Sequence, residues 1–306
     1  MSVERNRPSF QIELLASAAL VVAGGMWGLF WLPLRIFEAA GIGSIYVSIL
    51  LYATSIVVIL PWIIWDFPRF RREWVIAVAV GCFLGGSFSL YAVSLIKTEV
   101  VRALLLFYIS PVWSTLIAWL WFRERASFTR MLAIGLGVAG LLVVLDYRDG
   151  LPWPRNTGDW LALTSGVVWA IGSTIAYRRP AISIIGNLFG FSAGGIIAAL
   201  IMILIFGASL GQPPAVGLAI KHLPAIAAIA AFAVVPSTIG LNWGTQNLDP
   251  GRVGILLMAE LVVGTISAAV FATEPFGWRE ALSVSLIIAA AVTDVFGKLG
   301  AVTRSP

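Results

Sequence analysis

The sequence predicts an all-α integral membrane protein with ten transmembrane helices arranged as two inverted five-helix repeats. Three observations lead to this fold class. The 306 residues are 59% hydrophobic and only 11% charged, with a mean hydropathy of +0.95, whereas soluble domains carry about 25% charged residues. Apolar runs of membrane-spanning length follow one another with short polar breaks. Similar residues also recur after about 150 positions.

Each predicted span is a run of about 18–25 mostly apolar residues, which is the length a helix needs to cross the hydrocarbon core. Short segments rich in turn-forming and charged residues separate the runs. The runs cover residues 13–35, 42–64, 75–97, 100–122, 128–145, 159–177, 182–206, 222–246, 250–273 and 278–298. The first run continues well past its one signal-peptidase-like motif, so we expect no cleaved signal peptide.

The distribution of basic residues predicts a multi-pass protein of the cell (inner) membrane with both termini in the cytoplasm. In this orientation 13 of the 20 Lys and Arg residues fall on the cytoplasmic side, as the positive-inside rule requires. Lys97, Glu99 and Arg102 crowd one extracytoplasmic turn, and we interpret them as anchors at the membrane interface.

A polar segment in the middle of the chain divides the spans into two sets of five. Residues 146–158 are the predicted extracytoplasmic linker between a first repeat, residues 1–145, and a second repeat, residues 159–306. Because each set contains an odd number of spans, the two sets must enter the membrane in opposite orientations. Inverted repeats are typical of alternating-access transporters, which bind substrate near the membrane midplane between the repeats.

Residues that match between the two halves support this division. A shift of 150 residues places Arg102 on Arg252 and Glu124 on Glu274, and the register of these charged pairs carries the most weight. The same shift also aligns apolar and small residues, namely Leu106 with Leu256, Val112 with Val262, Thr115 with Thr265 and Ala118 with Ala268.

The candidate substrate site combines aromatic and polar residues that fall within the spans. Aromatic rings deep in the apolar runs would line a cavity suited to flat, partly apolar substrates or organic cations. Hydroxyl and amide groups would bind the polar part of an amino acid, although such groups also bond to their own helix. The predicted site residues are Trp27, Ser87, Tyr91, Tyr108, Ser110, Trp113, Trp169, Ser237, Asn242 and Glu260.

Glu260 is the clearest functional candidate, because a charged group near the centre of a span is costly and usually functional. It could bind a substrate ammonium or accept a coupling proton, or it could be a hydrogen-bonded structural carboxylate. Pro111 and Pro236 interrupt helical hydrogen bonding inside spans and are predicted hinges, or else fixed kinks. Small residues spaced by four predict close helix contacts at Gly24/Gly28, Gly81/Gly85, Gly186/Gly190/Gly194 and Gly240/Gly244.

Short motifs in both halves resemble the EamA-type drug/metabolite transporters. The first half contains Tyr91-Ala92, Ser110-Pro111-Val112 and Phe122-Arg123-Glu124, and the second half contains Glu260-Leu261-Val262 and Thr273-Glu274. Leu261 stands where that family usually has proline. Within the family, Tyr108-Ile109-Ser110-Pro111 and the many tryptophans are most similar to the YddG-type aromatic amino-acid exporters. The resemblance implies a ten-helix fold and export of aromatic amino acids from the cytoplasm.

Other functions stay open at the level of sequence. A broad drug or nucleotide-sugar carrier would use the same fold, and an intramembrane enzyme acting on lipid-linked substrates would use Glu260 with Asp294 and Lys298. The G-x-G-x-x-G and G-x-S-x-G patterns lie inside apolar spans without the strand that each motif requires, so we predict no enzyme, no cofactor and no metal. The expected partners are a small-molecule substrate and the lipid bilayer, with no nucleic acid and no obligate protein partner.

Overall fold

The computed structural model describes residues 10–122, 128–145, 154–177, 182–210, 213–248, 253, 256–274 and 276–302, and all regular secondary structure in these ranges is helical. The helices are α1 (Phe10–Gly28), α2 (Trp31–Ala39), α3 (Ser44–Trp65), α4 (Phe67–Lys97), α5 (Val100–Phe107), α6 (Ser110–Phe122), α7 (Phe128–Leu145), α8 (Thr157–Tyr177), α9 (Ile184–Phe206), α10 (Val216–Ile229), α11 (Val235–Asn247), α12 (Ala259–Phe271) and α13 (Trp278–Val302). A 3-10 turn, Gly207–Leu210, follows α9, and a π-helical segment, Ala230–Val234, joins α10 to α11.

Among the residues that the structure describes, five helical segments are long and apolar enough to cross a membrane. They are Phe10–Ala39, Ser44–Trp65, Phe67–Lys97, Ile184–Phe206 and Val216–Thr245. The shortest has 22 residues, and at 1.5 Å per residue it matches a hydrocarbon core of about 30 Å. Large apolar side chains such as Leu204 and Ile205 are exposed on these helices, as expected where the solvent is lipid. The chain is therefore a multi-pass helical membrane protein.

Four predicted spans are interrupted in the described part of the structure, and one of them, 250–273, is interrupted by the turn at Met258. The predicted span 13–35 is divided between α1 and α2 at Leu29 and Phe30, and the predicted span 100–122 is divided between α5 and α6 at Tyr108 and Ile109. The predicted span 222–246 contains the π-helical segment. Hydropathy misses such interruptions because an apolar run has the same composition whether or not its backbone hydrogen bonds continue.

Glycines bring two pairs of helices into backbone contact. On α4, a Cβ at Gly81 would overlap the backbone of Gly190 in α9, and a Cβ at Gly85 would overlap the backbone of Phe191. On α1, a Cβ at Gly28 would lie 2.6 Å from the carbonyl oxygen of Glu260 in α12. Close contacts at these glycines therefore agree with their spacing of four in the sequence.

The largest buried cluster surrounds α5. Every residue from Val100 to Leu106 is buried, and the cluster includes Leu34 from α2, Tyr91 from α4 and Leu261 from α12. Because α5 is covered on all sides, the break that follows it at Tyr108 lies in the interior of the protein rather than at its surface.

Candidate functional site

Aromatic rings from four helices form a connected cluster in the interior, which we call the aromatic cluster. Its rings are Trp27, Phe88, Tyr91, Phe107 and Trp169. Neighbouring ring centroids are 4.8 Å apart for Trp27 and Phe88, 6.2 Å for Phe88 and Tyr91, 4.8 Å for Tyr91 and Phe107, and 6.0 Å for Phe107 and Trp169. These distances fall within the range of favourable ring contacts. Three of the predicted site residues therefore belong to one aromatic surface.

The Tyr108 side chain connects the aromatic cluster to the intramembrane carboxylate. Its ring lies 5.7 Å from that of Phe107, and its hydroxyl donates a 2.8 Å hydrogen bond to Oε2 of Glu260. The same hydroxyl lies 3.3 Å from the carbonyl oxygen of Leu257. The structure thus brings Tyr108 and Glu260 together, as the sequence predicted, and a carboxylate beside aromatic faces is well suited to hold an ammonium group.

Both partners of this hydrogen bond lie where helices are interrupted. Tyr108 follows the last residue of α5, and Glu260 is the second residue of α12, next to the turn at Met258. Backbone groups at helix ends have no partner within the helix. In transporters, such breaks near the membrane midplane line the substrate site.

Small residues hold the first turn of α12 against α1. Gly24 lies so close that a Cβ there would be 3.2 Å from the backbone nitrogen of Glu260, and Gly28 faces the carbonyl oxygen of the same residue. Any larger side chain at Gly28 would push α12 away and displace Glu260 from Tyr108. These two glycines therefore position the carboxylate through its backbone.

The other predicted polar residues are occupied by bonds within the protein. Ser87 donates a 2.7 Å hydrogen bond to the carbonyl oxygen of Ser165 in α8, whereas Ser237 donates to the carbonyl oxygen of Ala233 in the π-helical segment that precedes its own helix. Asn242 accepts a hydrogen bond from Asn187 of α9 at 2.9 Å. The contacts of Ser87 and Asn242 link helices, whereas that of Ser237 is local, and the three side chains retain mainly acceptor atoms for a substrate.

The last two predicted site residues, Ser110 and Trp113, also lie outside the aromatic cluster. Ser110 is partly buried at the start of α6, and no described ring contact joins Trp113 to the cluster. The indole nitrogen of Trp113 is buried and has no hydrogen-bond acceptor among the described residues. That N–H group is a donor without a partner in the interior, so its role in binding stays a prediction.

Both predicted hinge prolines coincide with irregular backbone. Pro111 is the second residue of α6 and directly follows the break at Tyr108 and Ile109, and Pro236 is the second residue of α11 and directly follows the π-helical segment. A proline near the start of a helix is tolerated because its missing N–H would have no helical acceptor there, which accounts for Pro111. Pro236 instead follows helical backbone at Val234 and Val235, and a local π-helical segment is one way in which a membrane helix adapts to a proline. The structure places both residues at interruptions, and their movement stays a prediction.

A buried ion pair closes one end of the helix bundle. Asp159, in the first turn of α8, accepts a 2.7 Å hydrogen bond from Nε of Arg102, and its carboxylate also accepts from the hydroxyl of Thr98 at 2.8 Å and from the backbone of Arg155 at 2.9 Å. The Asp159 side chain is fully buried, and that of Arg102 is 9% exposed. Our interpretation of Arg102 as an interface anchor is therefore wrong, because its charge is satisfied inside the protein.

A second carboxylate at the same end fixes the start of α5. Glu274 accepts hydrogen bonds from the backbone nitrogens of Val100 and Val101 at 2.9 and 3.1 Å and from Arg35 at 2.8 Å. Arg35 also lies over the ring of Trp31, 5.3 Å from its centroid. We call Arg35, Thr98, Arg102, Asp159 and Glu274 the end network. It joins residues that precede the predicted linker to residues that follow it.

Sequence analysis missed Asp159 and the phenylalanines of the aromatic cluster. Asn156 accepts a 2.8 Å hydrogen bond from the backbone of Asp159, which is a pattern typical of a helix start. That local signal could locate the helix terminus, but it could not show that the carboxylate turns inward to Arg102. Phe88 and Phe107 carried no signal that distinguished them from the other phenylalanines.

These features define a class of protein: a multi-pass helical membrane protein whose interior polar groups lie at broken helices, as in secondary transporters. Residues 14–146 and 156–293 match the EamA-like transporter family, and the chain belongs to this family. The sequence-based identification of the family is confirmed.

Two further similarities agree with this assignment. The chain is 25% identical over 201 residues to an uncharacterized transporter of Methanothermobacter thermautotrophicus, covering 63% of this chain and 56% of that protein. The chain thus spans little more than half the length of this relative. A protein of known crystal structure superposes with a TM-score of 0.61 at 16% identity, covering 95% of this chain and 99% of the other. At this identity the similarity concerns the fold alone.

Proposed function

We propose that this protein exports aromatic amino acids and related amphipathic small molecules across the inner membrane. The observation that carries the proposal is the aromatic cluster connected through Tyr108 to Glu260. Aromatic faces stack on a flat, partly apolar side chain, and the carboxylate attracts the substrate ammonium. A nucleotide-sugar would instead need cationic groups for its phosphates, and the described hydrogen-bond partner of the Glu260 side chain is the phenol of Tyr108.

We also propose that the chain crosses the membrane ten times as two inverted repeats, with residues 1–145 and 159–306 as the units and 146–158 as the linker. Helix boundaries support the register of 150 residues. α4 ends at Lys97 and α11 at Asn247, and α7 begins at Phe128 and α13 at Trp278. The break at Tyr108 likewise corresponds to the turn at Met258. The charged matches at Glu124 and Arg252 lie outside the described residues.

In this arrangement the two equivalent breaks meet each other. The Tyr108 hydroxyl lies 3.3 Å from the carbonyl oxygen of Leu257 and binds Glu260, so the interrupted helix of one unit contacts that of the other. A substrate held at this junction contacts both units at once. Rocking of one unit against the other would then change which side of the membrane can reach the substrate.

The end network supports a state that is closed at one end. Arg35 and Arg102 lie in the first unit, and their partners Glu274 and Asp159 lie in the second. The basic residues of this end are those that the positive-inside rule assigns to the extracytoplasmic side, with both termini in the cytoplasm. Opening this end for export requires both ion pairs to separate.

Flux into proteoliposomes tests the proposed substrates. We expect labelled tryptophan, phenylalanine and tyrosine to cross membranes containing the protein faster than empty liposomes, and leucine of similar size to compete poorly. No flux of any aromatic amino acid above the empty control would refute the substrate assignment. Competition with organic cations and nucleotide-sugars distinguishes an aromatic amino-acid exporter from a broader carrier. If the protein is a broader carrier, these compounds should inhibit the flux of labelled tryptophan as well as unlabelled tryptophan does.

An intramembrane enzyme requires a different arrangement of polar groups. That hypothesis combined Glu260 with Asp294 and Lys298, whose side chains lie outside the described part of the structure. Nothing described at Glu260 favours catalysis over binding, because the described hydrogen-bond partner of its side chain is the phenol of Tyr108.

A further inference from the structure

The ring of Phe191, on α9, adjoins the aromatic cluster. Its centroid lies 5.7 Å from that of Phe88 and 6.5 Å from that of Trp27, and both distances lie within the range of favourable ring contacts. The ring of Tyr52 also contacts it, at a centroid distance of 5.6 Å. Rings from α1, α3 and α4 therefore surround a single ring of α9.

The accessible surface of Phe191 faces the interior of the bundle. Phe191 is only partly buried, whereas Tyr52 is 2% exposed. The lipid-facing side of α9 is marked by its exposed apolar side chains, which are Ile197, Leu200, Ile201 and Leu204. At about 100° per residue, Phe191 lies roughly 130° around the helix from the centre of that side. Its accessible surface is therefore on the side where Trp27 and Phe88 lie.

Glycines on both sides of Phe191 fix its backbone against α4. A Cβ at Gly190 would overlap the carbonyl group of Ala77, and a Cβ at Gly194 would overlap that of Gly81. Because the two backbones meet with no side chain between them, α9 cannot shift along α4 without a clash. The ring of Phe191 is thus held at one position relative to α4.

Tyr52 supports this position from α3. Its hydroxyl donates a 2.8 Å hydrogen bond to the carbonyl oxygen of Gly85 in α4. Its ring lies so close to α9 that a Cβ at Gly195 would be 2.6 Å away. Tyr52 is therefore a positioning residue that packs behind Phe191 and leaves the other face of the Phe191 ring accessible.

Helix α1 connects Phe191 to the intramembrane carboxylate. Gly24 and Gly28 face the backbone of Glu260, and Trp27, which lies between them in the sequence, contacts Phe191 with its ring. Trp27 is also only partly buried. A molecule that places an ammonium group at Glu260 can therefore extend along Trp27 to Phe191.

We propose that Phe191 forms the end of the pocket that receives the aromatic side chain of the substrate, and that it thereby determines which ring sizes are exported. This inference rests on the proposed export of aromatic amino acids. With the substrate ammonium at Glu260, the substrate ring lies against Trp27 and meets Phe191 at its far edge. A contact between two aromatic rings changes affinity about twofold to tenfold.

Flux of labelled phenylalanine and of labelled tryptophan into proteoliposomes tests the proposal, with the ratio of the two half-saturating concentrations as the readout. Phe191→Ala removes one ring contact, so we expect the half-saturating concentration of phenylalanine to rise about twofold to tenfold. That of tryptophan should rise less, because the larger indole extends into the vacated space. Phe191→Trp shortens the pocket and should change the ratio in the opposite direction, by weakening tryptophan binding more than phenylalanine binding.

Phe189 offers a matched control on the same helix. It is also partly buried, but its ring contacts Phe70, at a centroid distance of 4.8 Å, on α4. Phe189→Ala should therefore leave the ratio unchanged. Thermal unfolding of each variant shows whether it is folded, and Phe191→Trp still tests the pocket if Phe191→Ala does not fold.

Failure of this inference can be distinguished from failure of the proposed function. If the unsubstituted protein transports both amino acids but Phe191→Ala leaves their ratio as unchanged as Phe189→Ala does, Phe191 only packs the helices and the inference is overturned. A shift of the ratio in the same direction for Phe191→Ala and Phe191→Trp would also overturn it. Absence of aromatic amino-acid flux in the unsubstituted protein would refute the proposed export, and the inference with it.

Discussion

Replacement of Asp159 by Asn tests whether the end network stabilises the protein as a buried ionic structure. The substitution keeps the shape of the side chain and removes its charge, so Arg102 loses the carboxylate that lies 2.7 Å from its Nε. The carboxylate of Asp159 accepts hydrogen bonds from Arg102, Thr98 and the backbone of Arg155. The amide nitrogen of Asn would be a donor that faces these donors, with none of them able to accept its hydrogen bond. Removing one partner of a buried pair costs about 3–5 kcal/mol.

Equilibrium unfolding of the purified protein in mixed micelles measures this loss. A decrease of about 3–5 kcal/mol corresponds to roughly 10²- to 10⁴-fold in the folding equilibrium. The double variant Arg102→Met/Asp159→Asn should recover part of the stability, because it leaves no charge behind. Arg69→Gln provides the comparison: its ion pair with Glu73 has an arginine side chain that is 56% exposed, so the loss should stay below about 1 kcal/mol.

A loss for Asp159→Asn as small as that for Arg69→Gln would refute the reasoning. It would mean that water reaches the Arg102 guanidinium in the folded protein. A double variant less stable than Asp159→Asn alone would also contradict it, since the cost would then come from lost packing rather than from an uncompensated charge.

Four further predictions concern the transport site and the helix contacts. Glu260→Gln should reduce the flux of aromatic amino acids or remove its dependence on pH, and unchanged rates from mildly acidic to mildly alkaline pH would exclude a proton-accepting role. Tyr108→Phe removes the 2.8 Å hydrogen bond to Glu260 and should raise the half-saturating substrate concentration roughly tenfold. An unchanged concentration would show that Tyr108 does not contribute to substrate binding. Pro236→Ala should slow turnover and leave apparent affinity unchanged if this proline is a hinge, and equal turnover would identify a fixed kink. Gly81→Ala, which places a Cβ into the backbone of Gly190, should lower the free energy of unfolding by about 1–3 kcal/mol, while Gly135→Ala, with nothing within 4 Å of its Cβ, should not.

Several parts of the site could be anticipated from sequence because their signals are local. A carboxylate such as Glu260 stands out in an apolar run at any position, and aromatic residues such as Trp27 and Tyr91 stand out by their depth in a span. Glycines spaced by four identify a helix face without knowledge of the partner helix. The structure brings most of these residues together, and their part in transport stays a prediction.

Other parts could not be anticipated, because they depend on which residues meet across the bundle. Arg102 and Asp159 are 57 residues apart in sequence, and Arg35 and Glu274 are 239 apart. Each of these charges lies near the end of a predicted span, where a solvated position is the ordinary expectation. Only the packing of α5 against its neighbours places Arg102 and Asp159 in the interior.

Apolar composition by itself determined that this protein is a multi-pass helical membrane protein, because the bilayer allows such runs only one regular structure. Short motifs in both halves identified the EamA-like transporter family, and the family model confirms it. Tertiary structure alone decided that α5 stops at Tyr108, that Phe88 and Phe107 connect the aromatic rings, and that Asp159 faces inward. Such features follow from contacts between segments that are distant in the sequence. A hydropathy profile cannot predict them, because it averages over residues that are adjacent in the chain.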